Sequence, residues 1–236
     1  MIEPILYLIP VPLGNTPLER VLPAYNREVV LSLRHFIVEN VRSARRFLKK
    51  MEPSIVIDKL SFEVLNEHTT AQEVSGLLEV MSSGESVGLM SEAGCPAVAD
   101  PGADIVAIAQ RKGYRVVPLV GPSSILLALM ASGFNGQKFA FHGYLPVEAH
   151  RRAERIRALE ARIYTEQETQ IFIETPYRNE KLIDDLVRVC NPSTQLCVAV
   201  NITCSDEWIQ SRPIKNWSKR PIPLQKKPAI FLLAPP

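Results

Sequence analysis

Three short segments rich in glycine, proline and serine could hold a small ligand through their backbones. They span residues 12–15, 91–102 and 121–124, and each follows an apolar run typical of a buried strand. Glycine lets a backbone approach a ligand closely, and proline makes the path of the chain stiff. Such loops suit reactions that depend on positioning more than on a strong acid or base.

The longest of these segments contains two carboxylates, two prolines and two glycines between residues 91 and 102. Asp100 and Pro101 predict the start of a helix, with the carboxylate as N-cap and the proline at the first helical position. The segment would then present a helix N-terminus, where polar or anionic groups bind favourably. The alternative is an ordinary connection between a strand and a well-capped helix.

A second candidate surface is a helix predicted from residue 41 onward, where apolar residues recur at helical spacing. Its cationic face could contact the phosphates of a nucleic acid, because cations one turn apart can follow a backbone. The alternative is a solvated helix face. The apolar face holds Val41, Ala44, Leu48 and Met51, and the basic face holds Arg42, Arg45, Arg46, Lys49 and Lys50.

Strands and helices alternate through the first half of the chain, and they must position these segments. This order predicts an α/β fold with a doubly wound parallel sheet and right-handed crossovers. After residue 133 the order changes, which predicts a second α/β domain with a mixed sheet and an antiparallel edge. We place the domains at residues 1–118 and 119–236, with the hinge near residues 118–121. Between the two halves of the first domain, Thr70 and Glu73 predict a helix capping box.

Several catalytic signatures are absent from the sequence. The glycines around Ser91 are spaced too widely for a nucleophile elbow, and there is no Walker A motif. The histidines stand singly, and a single histidine is more often a structural residue than a base. His68, beside Glu67 at a predicted strand end, is the one candidate for the site. The four cysteines contain no CxxC pair, so we expect small buried residues and no metal site.

Charge and hydropathy limit the partners and the cellular compartments that we expect for the protein. The net charge of +2 leaves any role in nucleic-acid binding to local patches. The N-terminus lacks the basic and apolar regions of a signal peptide, and no apolar run reaches the roughly 18 residues that would cross a membrane. We therefore expect a cytoplasmic protein without a membrane segment.

Five segments occur in the order seen in the tetrapyrrole methylase superfamily, and the resemblance spans nearly the whole chain. The sequence is most similar to the branch of small-subunit ribosomal RNA cytidine 2′-O-methyltransferases, whose patterns read roughly TPIGN, EDTR, SDAGTPxxxDPG, VxPxPGPSA and YESPHR. The central pattern is the most specific. The matching segments are PLGN at 12–15, ENVR at 39–42, SEAGCP at 91–96, DPG at 100–102, VVP at 116–118, GPSS at 121–124 and ETPYR at 174–178.

The resemblance implies two α/β domains, S-adenosylmethionine bound in the cleft between them, and a homodimer. It also implies methylation of RNA, with a ribose 2′-hydroxyl of ribosomal RNA as the acceptor. Glu39 and Arg42 are the candidates for assisting this weak nucleophile, with a structural pair at a strand end as the alternative. Carried over, the cofactor contacts would be Pro12, Leu13, Gly14, Asn15, Ser91, Glu92, Ala93, Gly94, Cys95, Pro96, Asp100, Pro101, Gly102, Gly121, Pro122, Ser123 and Ser124.

Two departures from the family pattern affect the acceptor more than the cofactor. ENVR in place of EDTR loses a carboxylate and a hydroxyl, and Glu92 is one methylene longer than the aspartate of the pattern. A tetrapyrrole or another small-molecule acceptor therefore stays open. So does a binding module that keeps the cofactor pocket or the RNA surface without turnover.

Overall fold

A computed structural model describes residues 3–65, 69, 74, 76–217, 224 and 226–236. The chain divides into two compact units, Met1–Ser123 and Ser124–Pro236, whereas the sequence pattern places the boundary at residue 118. The predicted capping box of Thr70 and Glu73 and the candidate His68 lie outside the described residues. None of the described helices is both long and apolar enough to cross a membrane.

The first unit consists of a five-stranded sheet and the helices that connect its strands. The strands are β1 (Ile5–Leu8), β2 (His35–Val38), β3 (Ser61–Val64), β4 (Val87–Met90) and β5 (Arg115–Pro118). The described helices are α1 (Ala24–Ser32), α2 (Val41–Met51) and α3 (Ala103–Arg111). The strand order is β3-β2-β4-β1-β5 and every pair is parallel, as predicted.

Both faces of this sheet are buried, each under its own apolar cluster. Phe36 and Val38 of β2 pack in the cluster that contains residues of α1 and α2. Ile37, between them, points to the opposite face and packs in the cluster that contains Ile105 of α3. Because alternate side chains of one strand enter two cores, the strands read as continuous apolar runs.

The strand order creates a switch point between the neighbouring strands β1 and β4. The chain passes from β1 to β2, on the far side of β4, and from β4 to β5, on the far side of β1. The two connections therefore diverge at the carboxyl ends of these strands. A crevice at such a point is the usual ligand position in open α/β sheets.

The second unit contains a mixed five-stranded sheet. Its strands are β6 (Phe139–Tyr144), β7 (Thr169–Glu174), β8 (Gln195–Val200), β9 (Trp208–Pro213) and β10 (Ala229–Ala234). Its described helices are α4 (Ser124–Ser132), α5 (Ala149–Glu166) and α6 (Asn179–Val189). The order is β6-β7-β10-β8-β9; β6 and β7 are parallel and the other pairs antiparallel, which confirms the predicted mixed sheet.

An ion pair buried in the second unit joins its two longest helices. Nη2 of Arg152 on α5 lies 2.6 Å from Oδ2 of Asp185 on α6, and both side chains are less than a tenth exposed. Arg152 also donates to the backbone carbonyl of Pro146 at 3.1 Å. The charged pair is therefore satisfied by hydrogen bonds beside the core, where Phe172 and Phe231 stack with ring centroids 6.0 Å apart.

Candidate functional site

Loops that follow three strands meet at the carboxyl edge of the first sheet. Val11 and Gly94 exchange two backbone hydrogen bonds of 2.9 Å, which join the loop after β1 to the loop after β4. The Cys95 thiol donates to the carbonyl oxygen of Pro122 at 3.5 Å, which adds the loop after β5. We call these residues, 10–15, 91–96 and 121–123, the loop rim. Burial raises the pKa of the Cys95 thiol, so it acts here as a donor and not as a nucleophile.

Two glycines occupy positions in the loop rim where a side chain would not fit easily. Gly94 has a φ of +72°, and a Cβ on it would lie 3.3 Å from Cδ2 of Leu13. A Cβ on Gly121 would lie 2.2 Å from Cγ of Pro10, so the loop after β5 rests directly against the loop after β1. Positive φ and close backbone approach are the two conditions that select glycine.

Three carboxylates gather beside the loop rim, at the carboxyl ends of β2 and β4. Oε2 of Glu39 accepts the backbone N–H of Glu92 at 3.1 Å, and the Ser43 hydroxyl donates to Oε1 of Glu92 at 2.9 Å. Asp100 is half-buried, accepts a hydrogen bond from Ser91 and is repelled by both glutamates. We call Glu39, Glu92 and Asp100 the carboxylate cluster.

Burial and like charge change the acidity of this cluster. Desolvation, followed by repulsion from Glu39, raises the pKa of Asp100 to about 6. A cationic group nearby would stabilise the ionised carboxylates, whereas a phosphate would be repelled by them. Among the described residues, no group of three or more His, Cys, Asp or Glu side chains is arranged to hold a metal ion. The charge of the carboxylate cluster thus favours a cation over an anion at this edge of the sheet.

The predicted helix start at Asp100 and Pro101 is wrong. α3 begins at Ala103, and its N-cap residue is Gly102, which has a φ of +130°. Ala97 and Ala99 also have positive φ values, of 65° and 62°, so the chain turns sharply before it enters the helix. Asp100 lies two residues before this N-cap position and faces Glu39 and Glu92 instead.

Asn40, which departs from the family pattern, is the N-cap of α2. Oδ1 of Asn40 accepts the backbone N–H groups of Arg42 and Ser43 at 2.9 and 3.2 Å, which is a good helix N-cap. Glu39, one residue earlier, is engaged with the loop after β4 through Glu92. The Glu39 carboxylate therefore contacts the loop after β4, whereas Arg42 is exposed on α2.

α2 begins where the sequence predicts and has the predicted apolar and cationic faces, but three of its cations are engaged within the first unit. Nζ of Lys50 donates to the carbonyl of Thr16 at 2.8 Å, which holds the end of the loop after β1. Lys49 donates to a backbone carbonyl just beyond the helix. The Arg45 guanidinium lies 5.4 Å from the centre of the Phe62 ring on β3.

The other two predicted cations of α2, Arg42 and Arg46, are exposed and lie one turn apart. Side chains at this spacing share one helix surface. These two arginines are therefore the cations of α2 that are best placed to meet an external polyanion.

The remaining predicted residues divide between the two units. Gly14 and Asn15 are exposed in the loop after β1, whereas Pro12 is buried. Ser124 is the first residue of α4 and belongs to the second unit. Sequence reasoning missed Ser43, which binds Glu92; its spacing from Asn40 predicts a capped helix turn but gives no sign of this partner.

Comparison with known proteins places the chain among methylases. The family model of tetrapyrrole (corrin/porphyrin) methylases matches residues 19–216. Ribosomal RNA small subunit methyltransferase I of Vibrio cholerae serotype O1 is 32% identical over 213 residues, which is 89% of this chain and 69% of the relative. The protein of the same name from Escherichia coli O157:H7 is 31% identical over 211 residues, with the same coverage of 89% and 69%.

Solved structures share the fold. The methyltransferase CobJ matches with a TM-score of 0.64 and 14% identity, over 100% of this chain and 95% of that one. Cobalt precorrin-4 methyltransferase CbiF matches with a TM-score of 0.60 and 16% identity, over 98% and 94%. At these identities the likeness shows the fold alone. The family model, however, covers most of the sequence, and the chain belongs to the tetrapyrrole (corrin/porphyrin) methylases.

Proposed function

We propose that this protein uses S-adenosylmethionine to methylate RNA, with a ribose 2′-hydroxyl of small-subunit ribosomal RNA as the acceptor. The observation that carries the proposal is the loop rim beside the carboxylate cluster, on a chain of a methylase family. The relatives named for the small ribosomal subunit support an RNA acceptor.

The residues at the sheet edge fit the chemistry of this cofactor. S-adenosylmethionine supplies a methyl group on a positively charged sulfonium. The carboxylate cluster favours such a charge, and binding would in turn relieve the repulsion that Asp100 experiences. Gly94 and Gly121 keep side chains out of the loop rim, so that backbone groups can lie against the ligand. The other predicted rim residues are proposed to line the same site.

Glu39 is proposed to assist the acceptor. A ribose hydroxyl is a weak nucleophile, and a carboxylate within reach can orient it and accept its proton as the new bond forms. Glu39 directly follows the buried strand β2, and its carboxylate accepts the backbone N–H of Glu92, which fixes its position. Methyl transfer needs such positioning more than it needs a strong base.

α2 is proposed to provide the RNA contact of the first unit. Arg42 and Arg46 are exposed on the helix that follows Glu39. They would neutralise phosphates, while the carboxylate cluster takes the cationic cofactor. The cofactor and the RNA would thus bind to surfaces of opposite charge.

A homodimer in the cytoplasm completes the proposal. Leu126 and Met130 lie one turn apart on α4 and are 51% and 79% exposed, which offers an apolar surface to a second copy. All four cysteines are free thiols, as a reducing compartment would keep them.

A tetrapyrrole acceptor is the second candidate, favoured by the description of the family and by the fold shared with CobJ and CbiF. A binding module without turnover is the third, favoured by the altered ENVR segment. Incubation with methyl-labelled S-adenosylmethionine and unmodified small-subunit RNA, or a precorrin-type tetrapyrrole, separates the three. We expect label in RNA at a position that resists alkaline cleavage. Label in the tetrapyrrole, or in neither despite cofactor binding, would favour the second or the third candidate.

A further inference from the structure

A shallow hollow of about 370 Å³ lies on the second unit just after β7, lined by Pro176, Tyr177, Glu180 and Lys226. Tyr177 is 80% exposed, which is the highest value among the large hydrophobic side chains that the structure describes. Core packing therefore does not explain this ring, although single exposed apolar residues are common.

A buried carboxylate holds the turn that carries Tyr177. Oε1 of Glu174, at the end of β7, accepts the backbone N–H of Thr175 at 2.6 Å and Nε and Nη2 of Arg178 at 2.9 and 2.6 Å. The N–H of Arg178 also donates to the carbonyl of Thr175 at 2.9 Å. The ring of Tyr177 is thus presented to solvent from a fixed turn, which reduces the conformational entropy lost on binding.

Lys226 forms the opposite wall of the hollow. Its Nζ lies 5.5 Å from the centre of the Tyr177 ring. The neighbouring Lys227 is anchored, because its carbonyl accepts from Nδ2 of Asn179 at 2.8 Å and its ammonium pairs with Asp206 at 2.8 Å. An aromatic ring and a cation are therefore held together by contacts on both sides.

The charges around the hollow favour a nucleotide over a simple anion. Lys226 attracts a phosphate, whereas the Glu180 carboxylate repels one and can accept from the exocyclic amino group of a base. Lys227 is paired with Asp206, so Lys226 is the cation that the hollow offers to a phosphate.

A second exposed tyrosine lies at the same end of this sheet. Tyr144, the last residue of β6, is 60% exposed and pairs in register with Ile173 of the parallel strand β7. Tyr144 thus lies at the carboxyl end of β6, and Tyr177 lies three residues beyond the carboxyl end of the neighbouring strand β7. Aromatic rings in series with nearby cations are typical of proteins that stack successive unpaired bases.

We propose that this hollow binds an unpaired nucleotide of the RNA substrate, with the base stacked on Tyr177, its amino group toward Glu180 and its phosphate near Lys226. Tyr144 offers a stacking surface for the adjoining base. This inference rests on the proposed RNA methylation and deepens it, because it names a contact on the second unit for an unpaired base that bears an exocyclic amino group.

The test is fluorescence anisotropy with a labelled short oligocytidine. Tyr177→Ala removes the ring on which one base would stack. It should weaken binding by about fivefold or more, since such stacking is worth about 1–3 kcal/mol. Tyr177→Phe should bind like the wild type, and Lys226→Gln should bind more weakly with a shallower salt dependence. Tyr25→Ala, which removes a tyrosine 56% exposed in the first unit, is the matched control and should have no effect.

Equal binding by Tyr177→Ala and the wild type, or equal competition by polyphosphate without bases, would overturn the inference. So would a wild type that methylates ribosomal RNA but does not bind the oligonucleotide, and this result would leave the proposed function intact. Failure of the wild type to methylate RNA would instead count against the proposed function. In the methylation assay, we expect Tyr177→Ala to raise KM for RNA without lowering kcat.

Discussion

Asp100 faces two other carboxylates from a half-buried position, and its pKa of about 6 follows from that placement. A raised carboxyl pKa means that the folded chain holds this proton more tightly than the unfolded chain does. The folded state is therefore destabilised as the pH rises from the ordinary value of 3.8 through about 6. The penalty is absent below this window and fully present above it.

Asp100→Asn should increase the free energy of unfolding at about pH 7.5, because it removes the repelled charge, and the gain should vanish near pH 4. Urea unfolding followed by circular dichroism at both pH values measures this difference. Asp104→Asn is the control, since Asp104 is exposed in the first turn of α3. An equal gain at both pH values would mean that the effect is not electrostatic.

Glu39→Gln should lower kcat by about 100-fold or more if the carboxylate assists the hydroxyl, with a much smaller change in affinity for S-adenosylmethionine. Single-turnover methylation and calorimetry on the same variant separate the two effects. Glu19→Gln, on an exposed residue of the first unit, is the control. Unchanged kcat in Glu39→Gln would return Glu39 to a structural role at the strand end.

Individual elements show which local signals are reliable. The start and the two faces of α2 follow from helical periodicity, and Asn40 caps it as its residue type favours. Asp100 and Pro101 carry an equally good helix-start signal, but the side chain is used in the carboxylate cluster and the chain turns at Ala97 and Ala99. Local propensity decides an element only where no tertiary contact competes with it.

The partners of site residues could not be predicted from the sequence. Glu39 and Glu92 are 53 positions apart and meet because β2 lies beside β4 in the sheet. The contact between Lys50 and Thr16 likewise depends on how α2 packs, so a basic helix face did not reveal which of its cations are engaged. The glycine and proline loops were visible because their composition is itself the signal.

Charge reversal on α2 tests its role as an RNA surface. The double variant Arg42→Glu with Arg46→Glu should weaken RNA binding. If it removes two phosphate contacts, the slope of log K against log salt should become shallower by about 0.7–0.9 for each of them. Lys112→Glu, at the C-terminal end of α3, is the control and should change neither the affinity for RNA nor the slope. An unaltered slope in the double variant would mean that α2 is a solvated face.

The buried ion pair between α5 and α6 gives a prediction for stability. Arg152→Met should lower the free energy of unfolding of the second unit by about 3 kcal/mol, the lower end for a broken buried pair, because the buried Asp185 would keep only the exposed Arg188 as a partner. Both tryptophans, Trp208 and Trp217, lie in this unit, so their fluorescence reports its unfolding. Arg151→Met, which breaks an exposed pair with Glu148, should have almost no effect.

At the scale of the whole molecule, the order of elements was enough to predict two α/β units, one with a parallel sheet and one with a mixed sheet. A parallel sheet requires crossover connections, and these bring its ligand loops to one edge. Although the net charge is only +2, the molecule carries a carboxylate cluster and separate basic surfaces. Such a distribution suits a protein that binds a cationic cofactor and a polyanionic substrate.

Calorimetric titration of the intact protein with S-adenosylmethionine is the most direct test of this account. We predict micromolar binding that weakens as the pH falls below about 6, because protonation of Asp100 removes a favourable charge. Gly94→Val should abolish binding, and Asp100→Asn should weaken it and flatten its pH dependence, with circular dichroism confirming that both variants are folded. Absence of binding by the folded wild type would contradict the central claim, that the loop rim and the carboxylate cluster form a cofactor site.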